Sequence, residues 1–331
     1  MRSLVYVGPN SLELRHEPDP VPGNDEVVVR VEAVGICGSD MHAYHGYDER
    51  RPPPTVLGHE AAGVIVAGPG KGRRVTVNPL VTCGTCDDCL GGRPNLCRQR
   101  QIISMPPRPG AFAELLRVPE SNVVDVPASL PITKAALAEP LAVAYHAAAL
   151  GIARLARPVA AARCVVLGGG AIGLATALCL RLQGAHTIHI AETNPGRRQT
   201  VLRSGPFLAY EPGGPDEPAA SSADLVLDAV GADATRAAAC RLARPGGVIV
   251  HIGLLPGAGG IDVRKLTLQE ITLIGSYCYT MVDFRETVAA MVAGRLGALD
   301  WFEERALAEG PEAFREIDEG RAVAAKLMLR P

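Results

Sequence analysis

The stretch Val165-Val-Leu-Gly168-Gly-Gly170-Ala171-Ile172-Gly173 decides how the second half of this chain folds. It sets G-x-G-x-x-G directly after an apolar strand and at the start of a helical run, Leu174–Gln183, that stops at Gly184. The first glycine permits the tight turn, the second lets backbone approach a pyrophosphate, and the third lets helix pack closely on strand. The amides and dipole of the helix start then face the anion. A second strand ends at Glu192, close to the spacing of about 20 residues expected for an acid that binds a ribose. Such a carboxylate accepts ribose hydroxyls and repels a 2′-phosphate, which favours NAD over NADP. Arg197 and Arg198 follow on the next helix, where they can tolerate a phosphate or simply face water.

Outward from this turn, residues 150 to 275 alternate strands with helix-length segments, the pattern of βαβ units and a parallel sheet. The expected strands are Cys164–Leu167, Thr187–Ala191, Asp224–Ala229, Val248–Ile252 and Ile271–Ile274. The Pro/Gly-rich stretch Glu211 to Pro218 reads as a loop in place of a crossover helix. Residues 1 to about 140 instead show short β-rich runs such as Glu26-Val-Val-Val-Arg-Val-Glu-Ala-Val, punctuated by Gly and Pro, as in a strand-and-turn barrel or sandwich. The tail adds a helix near Asp283–Ala293 and a last strand, Lys326-Leu-Met-Leu.

A chain of 331 residues suggests about two domains, and 47% hydrophobic with 21% charged residues is the composition of a globular enzyme. A net charge of −2 gives no reason to expect nucleic acid or an anionic membrane. No apolar run reaches the length of a membrane span. The start reads as a first strand rather than a secretory signal, so the nine cysteines are expected in a reducing cytoplasm.

Four of those cysteines, Cys83, Cys86, Cys89 and Cys97, fall within fifteen residues. Thiolates this close complete a closed tetrahedral zinc site, which is structural rather than catalytic. Two disulfides would fit a small secreted domain better than this chain. Elsewhere, Gly35-Ile-Cys37-Gly38-Ser39-Asp40-Met-His42 follows a strand and Leu57-Gly58-His59-Glu60 follows a Pro-rich turn. A thiolate, an imidazole and carboxylates from separate loops can hold zinc with one open position. The spacing alone leaves a buried cysteine and a core histidine as an equal alternative.

Taken together with Ala138-Glu139-Pro-Leu-Ala-Val-Ala, these motifs resemble the zinc-containing medium-chain alcohol dehydrogenases along essentially the whole chain, and specifically the polyol (sorbitol-type), L-idonate, butanediol and threonine branch. The resemblance implies an α/β protein with a GroES-like β-barrel catalytic domain (1–140, with a zinc lobe at about 80–100), a Rossmann coenzyme domain (141–274) and a return to the catalytic domain (275–331). The active site is expected in the cleft between the two. Carried over, Cys37 and His59 ligate the catalytic zinc, and Glu60 ligates it or sits behind it. Glu139 stands where some relatives place a second cysteine; an oxygen donor there makes a harder, more labile site. Ser39 and His42 match a proton relay. The implied reaction moves hydride between the secondary hydroxyl of a polyol, sugar acid or related alcohol and NAD, with one catalytic and one structural zinc.

Sorbitol-type enzymes carry an arginine where Gly275-Ser-Tyr277-Cys278-Tyr279 has Cys278, which puts sorbitol itself in doubt. Threonine-type dehydrogenation and a non-catalytic nucleotide-binding role remain the alternatives. Arg50 and Arg51 are expected at the surface, near an anionic substrate or simply solvated. Tyr44 and His45 are candidates to line the pocket, while Cys164, Cys179 and Cys240 read as buried apolar residues. The resemblance further implies a homo-oligomer, a tetramer or dimer.

Overall fold

Strand Glu26–Gly35 organises the first of two structural units in the computed structural model, which describes all of residues 1–331. It buries Val27, Val28, Val29, Val31, Ala33 and Val34. Apolar residues in near succession, rather than strict alternation, mark a strand covered on both faces. One edge pairs antiparallel with Glu60–Ala67. The other edge is shared, its first half taken by Leu115–Pro119 and its end by Lys326–Arg330. Register shifts at Val28/Val29 and Val31/Ala33 bend it, as β-bulges do. The sheet runs in the order Val123–Asp125, Arg74–Val77, Glu60–Ala67, Glu26–Gly35, Lys326–Arg330, Phe302–Ala306. A smaller sheet of Ser11–His16, Arg2–Gly8 and Thr55–Val56 adds Leu4 and Tyr6 to the same core as Val29, Ile65, Phe112 and Phe314.

This unit comprises Met1–Glu139, Thr280–Gly294 and Phe302–Pro331, so the chain leaves it and comes back. The returning strand is pinned by charge as well as by backbone pairing. Lys326 Nζ sits 2.6 Å from Glu60 Oε1, with side chains only 3% and 0% exposed, and also donates to Ile36 O. Burial alone would depress the lysine pKa, but Glu60, Cys37 and Glu139 outweigh it and hold the value above the ordinary one.

The second unit, Pro140–Tyr279 with Arg295–Trp301, is built on a six-stranded parallel sheet. Its order is Leu208–Tyr210, Thr187–Ala191, Arg163–Leu167, Ala223–Asp228, Ala243–His251, Thr272–Gly275, the doubly wound 3-2-1-4-5-6 arrangement. Val165 faces His189 on one side and Val226 on the other, so the strand order reverses around Arg163–Leu167. The expected strands are present, with Ala243–His251 beginning five residues earlier than Val248 and the Gly-turn helix spanning Ala171–Leu182. Leu208–Tyr210 was not expected: a strand of three residues carries too little pattern to read. No helix follows it before Ala223, in agreement with the loop reading of Glu211 to Pro218. None of the helices is long and apolar enough to cross a membrane.

Removing one partner of a buried ion pair strands the other charge, at about 3–5 kcal/mol. Lys326→Met is therefore expected to lower the thermal midpoint sharply, while Lys326→Arg, which keeps the charge, loses less. Equal midpoints for wild type and Lys326→Met in a calorimetric scan would show that the pair contributes nothing.

Candidate active site and nucleotide turn

Three ligand atoms from two loops converge beside the long strand. Those of Cys37, His59 and Glu60 all lie within 4.8 Å of one another. Cys37 closes the strand–helix turn before Gly38–Tyr44, and His59 immediately precedes strand Glu60–Ala67, which Glu60 begins. Asp40, fully buried, ties the loops together: Oδ2 accepts from Cys37 N (3.0 Å) and Oδ1 from Gly58 N (3.2 Å). His59 Nδ1 lies 3.5 Å from Asp40 Oδ1, long and poorly aligned for a hydrogen bond. Gly35 is needed because a Cβ there would stand 1.9 Å from Glu60 Oε2.

The electrostatics favour a cation. Burial depresses the His59 pKa, yet Asp40 and Cys37 reverse this and raise it well above the usual histidine value. Burial pushes Asp40 up, but His59 and Arg51 bring it below the ordinary carboxylate value. Glu60 Oε2 is buried with no hydrogen-bond partner in the protein. A soft thiolate, an imidazole and an uncommitted carboxylate oxygen form a donor set that suits zinc. Glu139, in the first turn of helix Ala138–Ile152 and 6% exposed, stands outside this trio, although its charge reaches Lys326.

The four-cysteine lobe forms a second cluster. Cys83, Cys86, Cys89 and Cys97 bring their sulfurs within 4.8 Å of one another, with Cys97 Sγ 3.5 Å from Cys83 Sγ. All nine cysteines are free, so disulfides do not account for the spacing. Backbone amides of Thr85 and Cys86 lower the Cys83 thiol to about 6, so it reaches the thiolate form that binds metal.

Ser39 and His42 share one face of helix Gly38–Tyr44, three residues apart. His42 is half-buried, and burial lowers its pKa; His45, Arg51 and Arg50 oppose its charging further, while Asp48 favours it. The ring is therefore neutral near pH 7. Arg51, expected at the surface, is only 2% exposed, because Asp48, Ser39 and Ser104 meet its guanidinium. Tyr44 packs on Phe314 and is 4% exposed, and His45 Nε2 meets Asp318 Oδ1 at 2.7 Å, so both turn toward helix Gly310–Asp318.

In the second unit, Gly168, Gly170 and Gly173 form the turn into helix Ala171–Leu182, with Gly170 as its N-cap. A Cβ on Gly173 would fall 1.8 Å from Gly168 O, so only glycine lets helix and strand meet this closely. The turn catches the expected acid directly: Glu192 Oε2 accepts from Gly169 N and Oε1 from Asn194 N, each at 2.8 Å. Arg198 donates to Glu192 O and Thr193 O, and Arg197 lies beside it on helix Pro195–Ser204. Cys164, Cys179 and Cys240 are buried, as read from the sequence. Asp40 and Lys326 carried no assigned role in the sequence and Arg51 was expected at the surface; only Asp40 had a local signal, its place three residues after Cys37 at a helix start.

A model of the alcohol dehydrogenase GroES-like domain matches residues 23–128, and one of the zinc-binding dehydrogenase domain matches residues 171–293. The chain is 33% identical over 312 residues to L-galactonate-5-dehydrogenase of Escherichia coli, covering 90% of this chain and 89% of that one. Among solved structures, a putative zinc-binding dehydrogenase from Sinorhizobium meliloti bound to NADP is 29% identical with a TM-score of 0.89, covering 100% of this chain and 99% of that one. L-idonate 5-dehydrogenase from Escherichia coli is 26% identical with a TM-score of 0.88, covering 100% and 98%. A zinc-type donor set, a nucleotide turn on a doubly wound sheet and these matches converge: the chain belongs to the zinc-containing medium-chain alcohol dehydrogenases, and is an oxidoreductase that uses a nicotinamide cofactor on a small alcohol or sugar.

Proposed function

We propose that the protein oxidises a secondary hydroxyl of a polyol or sugar acid with NAD, and reduces the matching ketone in reverse. The observation that carries this reading is the Cys37–His59–Glu60 trio, whose buried Glu60 Oε2 is uncommitted. Zinc held there supplies Lewis acidity to a hydroxyl, and the nicotinamide supplies the hydride acceptor. The remaining work falls to the chain. Cys37, His59 and Glu60 hold the metal, and Glu139 acts from outside the trio. Ser39 takes the substrate proton as it releases its own toward His42, whose neutral ring accepts it. Cys83, Cys86, Cys89 and Cys97 hold the structural zinc.

Residues 1–140 and 275–331 form the catalytic domain in this reading, and 141–274 the coenzyme domain. The turn Gly168–Gly173, with the amides of Ala171 and Ile172, receives the pyrophosphate, and Glu192 the ribose hydroxyls, with Arg197 alongside. NAD is favoured because Glu192 stands at the ribose position, while Arg198 is engaged by the carbonyls of Glu192 and Thr193 and by the carboxylate of Glu211. The names of relatives that act on L-galactonate and L-idonate support a sugar-acid or polyol substrate. A homo-oligomer fits the edge strand Thr272–Gly275, which pairs on one side only and exposes Leu273. Nine free cysteines suit a reducing cytoplasm.

The test is NADH formation by zinc-loaded protein on sorbitol, galactitol, xylitol, L-galactonate, L-idonate, 2,3-butanediol and L-threonine. Turnover of a polyol or aldonate, lost on chelation, supports the reading; silence on all but L-threonine would replace it. Cys37→Ser is expected to abolish turnover while leaving the melting temperature and NADH binding near wild type. Cys89→Ser should damage folding instead, since affinity for a structural zinc is itself folding free energy. A fully active Cys37→Ser protein would overturn the metal assignment. Glu192→Ala should narrow the ratio of kcat/KM for NAD over NADP by about tenfold, the scale of one hydrogen bond to a charged group; an unchanged ratio would remove Glu192 from the ribose site.

A further inference from the structure

Arg51 is a buried cation with an unusual set of partners. An arginine is almost never fully buried unless paired. Asp48 Oδ2, 2.9 Å from Nη1, supplies the opposite charge, and its side chain is 8% exposed. Every other contact goes to one of two serines. Nη1 donates to Ser39 O (2.9 Å) and Nη2 to Ser39 Oγ (3.4 Å). Nε donates to Ser104 O (3.2 Å) and Nη2 to Ser104 Oγ (3.3 Å). Ser104 is fully buried and held at φ 79°, a left-handed conformation that non-glycine residues rarely adopt. It follows strand Gln101–Ile102, just past the zinc lobe. The guanidinium thus braces the catalytic turn against the segment leaving that lobe.

Stability alone does not call for this arrangement, since well-packed apolar residues often serve as well as buried charges. Its chemistry fits the relay better. A guanidinium only donates, whereas a serine hydroxyl has one proton and two lone pairs. Ser39 Oγ must therefore accept from Arg51, and its single proton is directed away from the cation. The same fork holds the Ser39 carbonyl, which fixes the first turn of the helix that also carries His42.

We propose that Arg51 is a positioning residue that sets the rotamer and proton direction of Ser39. This rests on Ser39 being the group that passes the substrate proton.

The experiment is a double-mutant cycle on the zinc-loaded protein with Ser39→Ala, Arg51→Gln, Arg51→Lys and the pairs. It measures kcat and KM on the panel alcohol oxidised fastest by wild type, together with NADH binding, zinc content and melting temperature. Arg51→Gln should lose at least tenfold in kcat, with KM and NADH affinity little changed. In the Ser39→Ala background it should cost almost nothing more, because its target is gone. Arg51→Lys keeps a charge for Asp48 and protects the fold if Arg51→Gln fails to accumulate. It should still be slow, since an ammonium cannot reproduce the fork. Equal losses from Arg51 substitution with and without Ser39, or full activity in Arg51→Lys, would overturn the proposal. Full activity in Ser39→Ala would remove the relay reading and this proposal while leaving the dehydrogenase reading intact. A wild type inactive on every panel alcohol would overturn the polyol or sugar-acid reading, and this proposal with it.

Discussion

A carboxylate with no exposure to water must find a counter-charge or give up its own. Glu60 meets that constraint through Lys326, 266 residues later in the chain. The pair settles several features at once. It places Oε1 on the ammonium and leaves Oε2 without a hydrogen-bond partner, in a carboxylate that joins Cys37 and His59 in one cluster. It requires glycine at position 35, because Glu60 Oε2 occupies the space where a Cβ would be. It also accounts for the last strand lying against the end of Glu26–Gly35, where Met328 and Leu329 pair with Gly35 and Val34.

The metal-binding half of the protein therefore depends on both ends of the sequence. The Cys37–His59–Glu60 trio comes from the first 60 residues, but the cation paired with Glu60 comes from the final strand, after the chain has left this unit and returned. The ligand loops have their own short-range order, since Asp40 receives amides from both and would orient them without the tail. What the tail adds is charge balance. Lys326, held above its ordinary value by Glu60, Cys37 and Glu139, sets a buried positive charge against these groups, and the raised value of His59 means that its ring must release a proton before it can ligate a metal.

The sequence was most legible where chemistry is local. The Gly168–Gly173 turn, the acid at Glu192 and the four-cysteine lobe all declare themselves within short windows, because a turn or a small metal cage imposes its own spacing. The alternation of strand and helix after residue 150 likewise yields the doubly wound sheet, whereas Leu208–Tyr210 is too short to carry a period. Cys37 and His59 were readable as motifs but their meeting was not, since only strand pairing between Glu26–Gly35 and Glu60–Ala67 brings them together. Arg51 misled for the opposite reason. Its neighbours Glu49, Arg50 and Pro52 look like a solvated loop, and nothing local shows that Ser104, 53 residues on, turns its carbonyl and hydroxyl toward it. Lys326 gave no signal at all: a lysine opening an apolar strand reads as a surface residue until the strand is seen to cover Glu60.

Three buried acids show how the same functional group is assigned different work by its partners. Asp40 gives its oxygens to the amides of Cys37 and Gly58 and lies near His59, so it orients ligands. Glu192 is likewise held by amides, from Gly169 and Asn194, with Thr193 beside it. Each carboxylate oxygen can accept more than one hydrogen bond, so Glu192 keeps capacity for hydroxyl donors while its direction is fixed. Glu60 differs, because its partner is an ammonium on one oxygen alone. A carboxylate locked by amides is a rigid acceptor, whereas one paired with an ammonium through a single oxygen keeps the other oxygen uncommitted. That asymmetry, rather than the presence of an acid as such, separates Glu60, which joins the metal-type cluster, from the two acids held by backbone amides.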